Sequence, residues 1–449
     1  MENFYELSIN EINNLIISRK LSSLQLSKSI LKRIYTYDKF IKSFTYINEK
    51  EIFERAIYLD EELENGRSNS DLHGVPISIK DAFDIINIPT TVGSRLFLDY
   101  FPSKNSEVIT KLLNAGSVII GKTETTEFCF GGPSLDSAFS PAKNPWNINR
   151  WTGGSSGGGA AAVAAQFCFG SIGTDTGGSV RLPAAWCGLV GFMPTPGNIS
   201  RDGVFELSKS LDCVGVLAKS IADAIIINNQ ISEKINLVPT SKFLCDKKIA
   251  IASDFLNNAD KEVSDTFFAV RNKIEECGYF IEDISGLDLK HYAAVQAIIT
   301  VFEAYHRYKK YLNNKIQLGF FTRSRLSLGA FVSFDDYKNA LVARKKCIDQ
   351  YNRIMDDYDI MILPSALTLA PEVNAKDPFL FLNKPLPTTI ANVVGVPSVV
   401  VPWNIVGGLP TSVQLIGKKQ EDQAMIDFAF VIENLRKDWK FPKFDSMLK

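Results

Sequence analysis

Histidine is scarce in this sequence, with only His73, His291 and His306 among 449 residues. Serine–histidine catalytic triads and most zinc sites need histidine at defined places. His73 is expected in a loop, and the other two lie in a segment with a helical pattern. The scarcity argues against both kinds of site, and a nucleophilic serine in this chain would need another base.

Clustered charge is missing as well. Lys and Arg number 49 against 50 Asp and Glu, and the basic residues are scattered, so we expect no nucleic-acid binding. The seven cysteines are widely spaced and contain no CxxC pair, which is typical of reduced thiols. The first residues show no secretory signal, and the uncharged stretch 153–174 is too rich in Gly, Ser and Ala to insert in a bilayer. We therefore expect a cytoplasmic protein that does not bind membranes.

Hydrophobic periodicity predicts helices and strands in alternation. Ser8 and Ser22 each begin a capping box, which predicts helices over about 9–19 and 22–37. The further predicted helices are 49–64, 106–115, 260–277, much of 291–358, and 421–436, and the predicted strands are 75–79, 248–252, 359–363, 398–402 and 411–416. This alternation favours an α/β protein with a large central sheet. No repeat or low-complexity linker divides the chain, so we expect a single domain over 1–449.

Residues 116–123 match the phosphate-loop pattern GxxxxGK[ST]. Such a loop needs flexible backbone whose N–H groups turn inward, but Val118, Ile119 and Ile120 favour a strand. We therefore predict no nucleotide site there.

Two clusters of glycine and serine, residues 153–159 and 176–179, mark the centre of the sequence. Glycine lets the backbone approach a ligand, and a serine hydroxyl can attack a carbonyl group once a base removes its proton. A flexible linker is the alternative, but the helix-forming run 160–165 follows the first cluster directly. Asp175 and Arg181 flank the second cluster in a nearly uncharged stretch, which predicts a buried, paired polar site.

Residues 153–157 also match GxSxG, the nucleophile elbow of α/β-hydrolases. That elbow must follow a strand, whereas the preceding residues 144–150 are predicted to be irregular. The elbow is therefore the weaker interpretation.

A lysine can replace histidine as the base if burial lowers its pKa. Lys80 follows the predicted strand 75–79, and side chains at the carboxyl ends of strands in α/β sheets often face the ligand crevice. A solvated surface lysine is the alternative for Lys80 alone. Together with Ser155 and Ser179, however, it completes a set that contains a nucleophile and a base.

Several long motifs carry a resemblance to a known family. They are GVPISIKD at 74–81, GGSSGG at 153–158, GTDTGGSVR at 173–181, PAAWCGLVGF at 183–192, VGVP at 394–397, GLP at 408–410 and VQLIG at 413–417. The chain resembles the amidase signature family over most of its length, most strongly over 73–212. This implies an α/β fold with a large central mixed β-sheet flanked by helices on both faces. One departure is Gly159, where many members have serine.

The resemblance implies a Ser–Ser–Lys triad and neither a metal nor a cofactor. Ser179 would be the nucleophile, Ser155, after a cis peptide bond, the bridging serine, and Lys80 the base. The implied oxyanion hole is formed by the backbone N–H groups of Thr176, Gly177, Gly178 and Ser179, and the implied supporting side chains are those of Ser156, Asp175 and Arg181.

The substrate is the open question. The family includes stand-alone amidases and the A subunit of glutamine-dependent tRNA amidotransferase, in which an acid shortly before the VGVP-like segment holds the amino group of glutamine. Residues 382–389 contain no acid, and Asp377 is the nearest one upstream. We therefore predict a stand-alone amidase that cleaves a small amide and releases ammonia or an amine.

The alternative is the glutaminase (A) subunit of a glutamyl-tRNA(Gln)/aspartyl-tRNA(Asn) amidotransferase, with its partner subunits. A catalytically degenerate binding subunit is a minor alternative, which the presence of all three triad residues disfavours. A homodimer is one option for the assembly.

Residues 235–371 are expected to shape the acyl pocket. Five aromatic residues in this region could line it, although we favour packing in the protein interior: Phe302, Tyr305, Phe320, Phe321 and Phe331.

Overall fold

The computed structural model describes residues 4–68, 70–133, 135–241, 247–313, 318–373, 384–436 and 439–444. Its strands are β1 (Phe44–Tyr46), β2 (Pro76–Lys80), β3 (Val118–Thr123), β4 (Lys143–Asn144), β5 (Asn147–Trp151), β6 (Gly170–Asp175), β7 (Val190–Met193), β8 (Cys213–Ala218), β9 (Lys248–Ile251), β10 (Phe280–Asp283), β11 (Ile360–Pro364), β12 (Ser398–Val406) and β13 (Leu409–Ile416).

The α-helices are α1 (Ile9–Ile17), α2 (Ser23–Ile41), α3 (Glu49–Glu64), α4 (Glu107–Asn114), α5 (Gly157–Ala164), α6 (Arg181–Cys187), α7 (Ile221–Ile231), α8 (Lys261–Glu276), α9 (Leu289–Tyr308), α10 (Phe320–Leu328), α11 (Phe334–Met355), α12 (Thr389–Val394) and α13 (Asp422–Leu435). Both predicted capping boxes are present, at Ser8 with Glu11 and at Ser22 with Gln25.

Eleven strands form one mixed sheet in the order β1-β3-β2-β6-β8-β7-β12-β13-β11-β9-β10. Strands β3, β2 and β6 run parallel, and the strands from β6 to β11 pair antiparallel. At the other end of the sheet β11, β9 and β10 are parallel again. The predicted α/β class with a large mixed sheet is confirmed.

Both faces of the sheet are covered. Along β11, Ile360 and Ile362 belong to one cluster of buried residues, whereas Met361 and Leu363 belong to a second cluster. Since successive side chains of a strand point to opposite faces, the two clusters lie on opposite sides of the sheet. Helices α8 and α13 pack in the first cluster, and α11 and α12 in the second.

Two expectations from motifs have clear outcomes. The stretch that matches a phosphate loop forms β3, as its Val-Ile-Ile sequence predicted. The irregular segment expected at 144–150 was wrong in part, because β4 and β5 pair there as a short antiparallel hairpin outside the main sheet. Trp151 at the end of β5 packs against Trp186, with ring centroids 5.8 Å apart, and this contact supports the hairpin.

Within the described residues, no helix has both the length and the apolar character needed to cross a membrane. The same part of the chain holds no group of three or more His, Cys, Asp or Glu side chains arranged to bind a metal ion.

Candidate active site

Lys80 ends β2 and is fully buried. Strand β6 runs parallel beside β2, with Ile79 opposite Ile172, and this register brings Lys80 next to Thr174. The Lys80 Nζ donates to Ser155 Oγ at 2.7 Å and to Thr174 Oγ1 at 2.7 Å. Burial lowers the pKa of Lys80, because a charged ammonium group loses its hydration there. The predicted position of Lys80 at the end of a strand is confirmed. Its nitrogen contacts a hydroxyl group of the first glycine–serine cluster, but Lys80 itself is not among the residues that line the cavity beside Ser179.

The two glycine–serine clusters lie against each other. The N–H of Ser156 donates to the carbonyl oxygen of Ser179 at 3.0 Å, which ties the first cluster to the second. Ser155 is fully buried and follows a cis peptide bond from Gly154, as the family resemblance implied. The Ser156 hydroxyl donates to the carbonyl oxygen of Thr174 at 3.3 Å. The first cluster thus contacts both Ser179 and Thr174, and Thr174 and Ser155 are the residues whose hydroxyl groups accept from the Lys80 nitrogen.

Ser179 is half-buried and lines a cavity of about 250 Å³. Its hydroxyl makes no hydrogen bond to any described residue, so Ser155 Oγ and Ser179 Oγ are not directly bonded in this structure. Hydrogen bonds between catalytic groups often shorten only when substrate binds. The structure therefore brings Lys80 and Ser155 into contact and places Ser179 at the cavity wall beside them.

Three residues of the 176–179 loop both line the cavity and carry a backbone N–H that no described residue accepts. Thr176, Gly177 and Ser179 line it, and their N–H groups have no acceptor among the described residues. Gly178 differs from the expectation, because its N–H donates to Asp175 Oδ1 at 2.7 Å. Its φ of +116° turns the peptide this way, and a Cβ there would lie 2.0 Å from Thr388 Oγ1. Glycine is required at 178 by the shape of the loop.

Asp175 and Arg181 form a fully buried ion pair, with Arg181 Nη2 3.0 Å from Asp175 Oδ1. Burial alone would raise the pKa of Asp175, but the charge and hydrogen bonds of Arg181 outweigh it and the pKa is lowered. Asp175 also accepts a hydrogen bond from the N–H of Val180. The Arg181 guanidinium donates hydrogen bonds to the side-chain oxygens of Asn392 and Gln414. The buried, paired polar site predicted from these two charges is confirmed, and Asp175 accepts hydrogen bonds from backbone N–H groups on either side of Ser179.

The rest of the cavity wall comes from elements far apart in sequence. Helix α9 contributes Ala293, Gln296, Ala297 and Thr300, and α10 contributes Arg325. Lys384, Pro385 and Leu386 close another side. The region expected to shape the pocket, 235–371, thus supplies part of the wall, and the segment before α12 supplies the rest.

Arg325 and Lys384 are the charged side chains among the described residues that line this cavity. Arg325 donates to the carbonyl oxygen of Phe130 at 2.7 Å, and its guanidinium lies 4.6 Å from the Phe130 ring centre. Burial lowers the pKa of Arg325 to about 10, and no described carboxylate pairs with it. Lys384 pairs with Asp260 at 2.9 Å. The cavity therefore has positive but no negative side chains in its described wall.

None of the five predicted aromatic residues lines this cavity. Phe302 and Phe321 are buried and Tyr305 is partly buried, so packing in the interior was the better interpretation for them. For Phe320 and Phe331 that expectation was wrong, because they are 66% and 85% exposed. Both lie on the outer side of the α10–α11 region, where sequence pattern alone does not distinguish an outward phenylalanine.

Sequence reasoning missed two carboxyl groups close to the site. Glu124 is buried behind α5, and burial raises its pKa to about 8. Asp212 accepts a hydrogen bond from Thr176 Oγ1 at 2.6 Å, and burial raises its pKa to about 6. Neither residue stands in a local pattern that marks it, because their partners are distant in sequence.

The absence of serine at 159 has a structural reason. A Cβ at Gly159 would lie 2.5 Å from Ser171 Oγ, which is too close without rearrangement. The hydroxyl of Ser171 is buried and has no hydrogen-bond partner. Ser171 on β6 therefore fills the space that a side chain on α5 would need.

Comparison with known proteins shows which family the chain resembles over nearly its whole length. The family model described as Amidase matches residues 25–426. The A subunit of glutamyl-tRNA(Gln) amidotransferase from Caldanaerobacter subterraneus subsp. tengcongensis is 31% identical over 474 residues, covering 96% of this chain and 97% of that protein.

Two solved structures have the same fold over nearly their whole lengths. The crystal structure of an amidase superposes with a TM-score of 0.87 at 26% identity, covering 95% of this chain and 99% of that one. The A subunit of glutamyl-tRNA(Gln) amidotransferase from Thermotoga maritima superposes with a TM-score of 0.84 at 28% identity, covering 99% of both chains. The chain therefore belongs to the amidase signature family.

Proposed function

We propose that the protein hydrolyses a carboxylic amide through a covalent intermediate on Ser179. The observation that carries the proposal is the bond from the buried Lys80 to Ser155, next to the loop with Ser179. A lysine whose pKa is lowered by burial is present in part as the neutral amine, which can accept a proton. No histidine is needed for this chemistry.

The proposed reaction begins with proton transfer from Ser179 to Ser155 and from Ser155 to Lys80. The Ser179 oxygen forms a bond to the amide carbon, and negative charge develops on the carbonyl oxygen. The free N–H groups of Thr176, Gly177 and Ser179 would stabilise that oxyanion. The C–N bond then breaks, the amine leaves with the proton from Lys80, and water releases the acid by the same route.

The charges in the cavity restrict the substrate. An ammonium group buried without a counter-charge is unfavourable, whereas a carboxylate would pair with Arg325. Residues 384–389 contain no acid, and the remainder of the stretch, with Asp377, lies outside the described residues. We therefore favour a stand-alone amidase for neutral or anionic small amides.

A panel of matched amides tests this function. Ammonia release would be measured with glutamine, with the monoamide of glutaric acid, which lacks only the α-amino group, and with pentanamide, which also lacks the carboxylate. We expect turnover of the monoamide above the other two and no turnover by Ser179→Ala. Full activity of Ser179→Ala would contradict the proposed nucleophile.

The second candidate is the A subunit of an amidotransferase. It is favoured by the 31% identity to such a subunit over nearly the full length of both proteins. Under this alternative, glutamine would be the one amide of the panel that is turned over, and addition of partner subunits would raise the rate. That result would overturn the stand-alone function while leaving the assignment of Ser179 intact.

A further inference from the structure

Asp212 is linked to the loop of the proposed oxyanion donors by one side-chain hydrogen bond. Thr176 Oγ1 donates to Asp212 Oδ1 at 2.6 Å. Thr176 is a buried residue that lines the cavity, and its own N–H has no acceptor among the described residues. We propose that Asp212 is a positioning residue for amide cleavage, which acts through Thr176 to orient the backbone N–H groups of the 176–179 loop. This inference rests on the proposed function.

The Asp212 carboxylate is itself held in place from the other side. Its second oxygen accepts from the N–H of Leu207 at 2.8 Å and from the N–H of Ser208 at 3.0 Å. Both oxygens of the carboxylate are thus engaged, and its plane is fixed relative to residues 207–208. A carboxylate is a stronger acceptor than a neutral group, so it fixes the Thr176 hydroxyl well.

Residues 207–210 are in turn anchored to α9. Glu303 accepts from the hydroxyl and the N–H of Ser210, from the Ser208 hydroxyl, and from the Tyr337 hydroxyl at 2.8 Å. One carboxylate thus joins this segment to both α9 and α11. The position of Asp212 therefore depends on two long helices. A displacement of those helices would move Asp212 and, through its hydrogen bond, the side chain of Thr176.

The 176–179 loop is therefore held by a carboxylate at each side. Asp175 binds the N–H of Gly178, and Asp212 binds the side chain of Thr176. Between them lies Gly177, whose N–H has no acceptor among the described residues. Oxyanion donors act only when they are preorganised, since small misplacements lower the rate strongly. Loss of the Thr176–Asp212 bond should therefore slow the chemical step more than it weakens binding.

The test uses an alkyl fluorophosphonate, which does not require that the natural amide be known. The Ser179 oxygen forms a bond to phosphorus, fluoride leaves, and the serine proton passes to the base. The phosphoryl oxygen takes the place of the oxyanion. Intact-mass measurement at several probe concentrations gives both the maximal rate of labelling and the half-saturating concentration, and Ser179→Ala is the negative control.

Four variants are compared with the natural chain. Thr176→Val removes the hydroxyl at nearly constant volume, and Thr176→Ser restores it. Thr195→Val is the matched control, because Thr195 Oγ1 donates to Asp422 Oδ2 at 2.6 Å in a similar pair on another element. Asp212→Asn is the fourth variant, with the carboxylate replaced by an amide.

We expect Thr176→Val to lower the maximal rate of labelling by about 10- to 100-fold. This decrease is smaller than the one caused by complete removal of an oxyanion donor. The half-saturating concentration of the probe should be nearly unchanged. Thr176→Ser should recover most of the rate, and Asp212→Asn should lower it. Thr195→Val should lower the thermal midpoint and leave the rate unchanged. If Thr176→Val is labelled at the rate of the natural chain, or if Thr195→Val loses as much labelling rate as Thr176→Val, the role of Asp212 is contradicted. The proposed function would not be affected by either result. Failure of the natural chain to be labelled at Ser179 would overturn the proposed function, and the inference with it.

Discussion

The Lys80 Nζ lies 2.7 Å from Thr174 Oγ1, the same distance as from Ser155 Oγ. Both of these neighbours are neutral hydroxyl groups. Burial lowers the pKa of Lys80 by more than other groups raise it. The groups that raise this pKa are the Cys129 thiol, by charge and by a side-chain hydrogen bond, and the carboxylates of Asp175 and Asp212, by charge alone. Desolvation therefore dominates, and a neutral amine is accessible at lower pH than for a lysine in water.

The first prediction concerns pH. A lowered pKa means that Lys80 loses its proton, and becomes a base, at a pH below its ordinary value. We expect kcat/KM for amide hydrolysis to rise with pH through that lowered pKa and then to level off. Lys80→Met should lower kcat by about 10²- to 10⁴-fold, the usual contribution of a general base.

Thr174→Val refines this prediction. Loss of one acceptor of the ammonium group should lower the pKa of Lys80 further, so the rising limb of the pH–rate profile should move to lower pH. If the rising limb lies at the same pH in Thr174→Val as in the natural chain, a group other than Lys80 controls the pH dependence.

The second prediction concerns substrate charge. Arg325→Gln removes the cavity cation that has no described carboxylate partner. For an anionic amide such as the monoamide of glutaric acid, we expect KM to rise by roughly 10-fold or more, from the loss of a charge-assisted hydrogen bond. For pentanamide KM should change little. Equal changes for both amides would indicate a loss of packing and not of charge recognition.

The third prediction concerns the buried ion pair. Arg181→Met leaves Asp175 as an uncompensated buried charge, which should cost about 3–5 kcal/mol in the free energy of unfolding. The double variant Asp175→Asn/Arg181→Met should lose less than the sum of the single variants. As a control, Lys104→Met disrupts the exposed pair with Asp202 and should leave urea unfolding unchanged.

The fourth prediction concerns Gly159. Gly159→Ser should destabilise the fold by about 1–3 kcal/mol, because the new side chain overlaps Ser171 Oγ. Ser171→Ala removes a hydroxyl that has no partner and should be nearly neutral. The double variant should recover most of the stability lost in Gly159→Ser. Urea unfolding of the four proteins gives the coupling energy, and a purely additive result would contradict the steric explanation.

The sequence predicted the local features of the fold well, since these depend on neighbouring residues. The capping boxes at Ser8 and Ser22, the strand behind Lys80 and the helices α8 and α13 all follow from short patterns. Strand β6 escaped this reasoning because its sequence, GSIGTD, has two glycines and one apolar side chain. It is stabilised by β2 and β8 on either side, which no local pattern reveals.

The candidate site divides in the same way. Lys80, Ser155 and Ser179 were proposed from motifs, because the proposed chemistry needs those residue types there. Asp212 and Arg325 were missed because their significance comes from proximity to the 176–179 loop and the cavity, and this proximity exists only in the folded chain. The occupied N–H of Gly178 was missed for a related reason, since the direction of a peptide depends on a φ angle that the residue type permits but does not fix.

The contacts of Arg181 have a consequence for biosynthesis. Its guanidinium binds Asn392 and Gln414, which follow it by 211 and 233 residues. A ribosome-bound or prematurely terminated chain that ends before α12 would contain all three proposed triad residues but would lack the side chains that complete the surroundings of Arg181. The loop carrying Ser179 would then keep an arginine with unfilled hydrogen bonds, so we expect Ser179, the proposed nucleophile, to reach its final position only when the last strands of the sheet have been made.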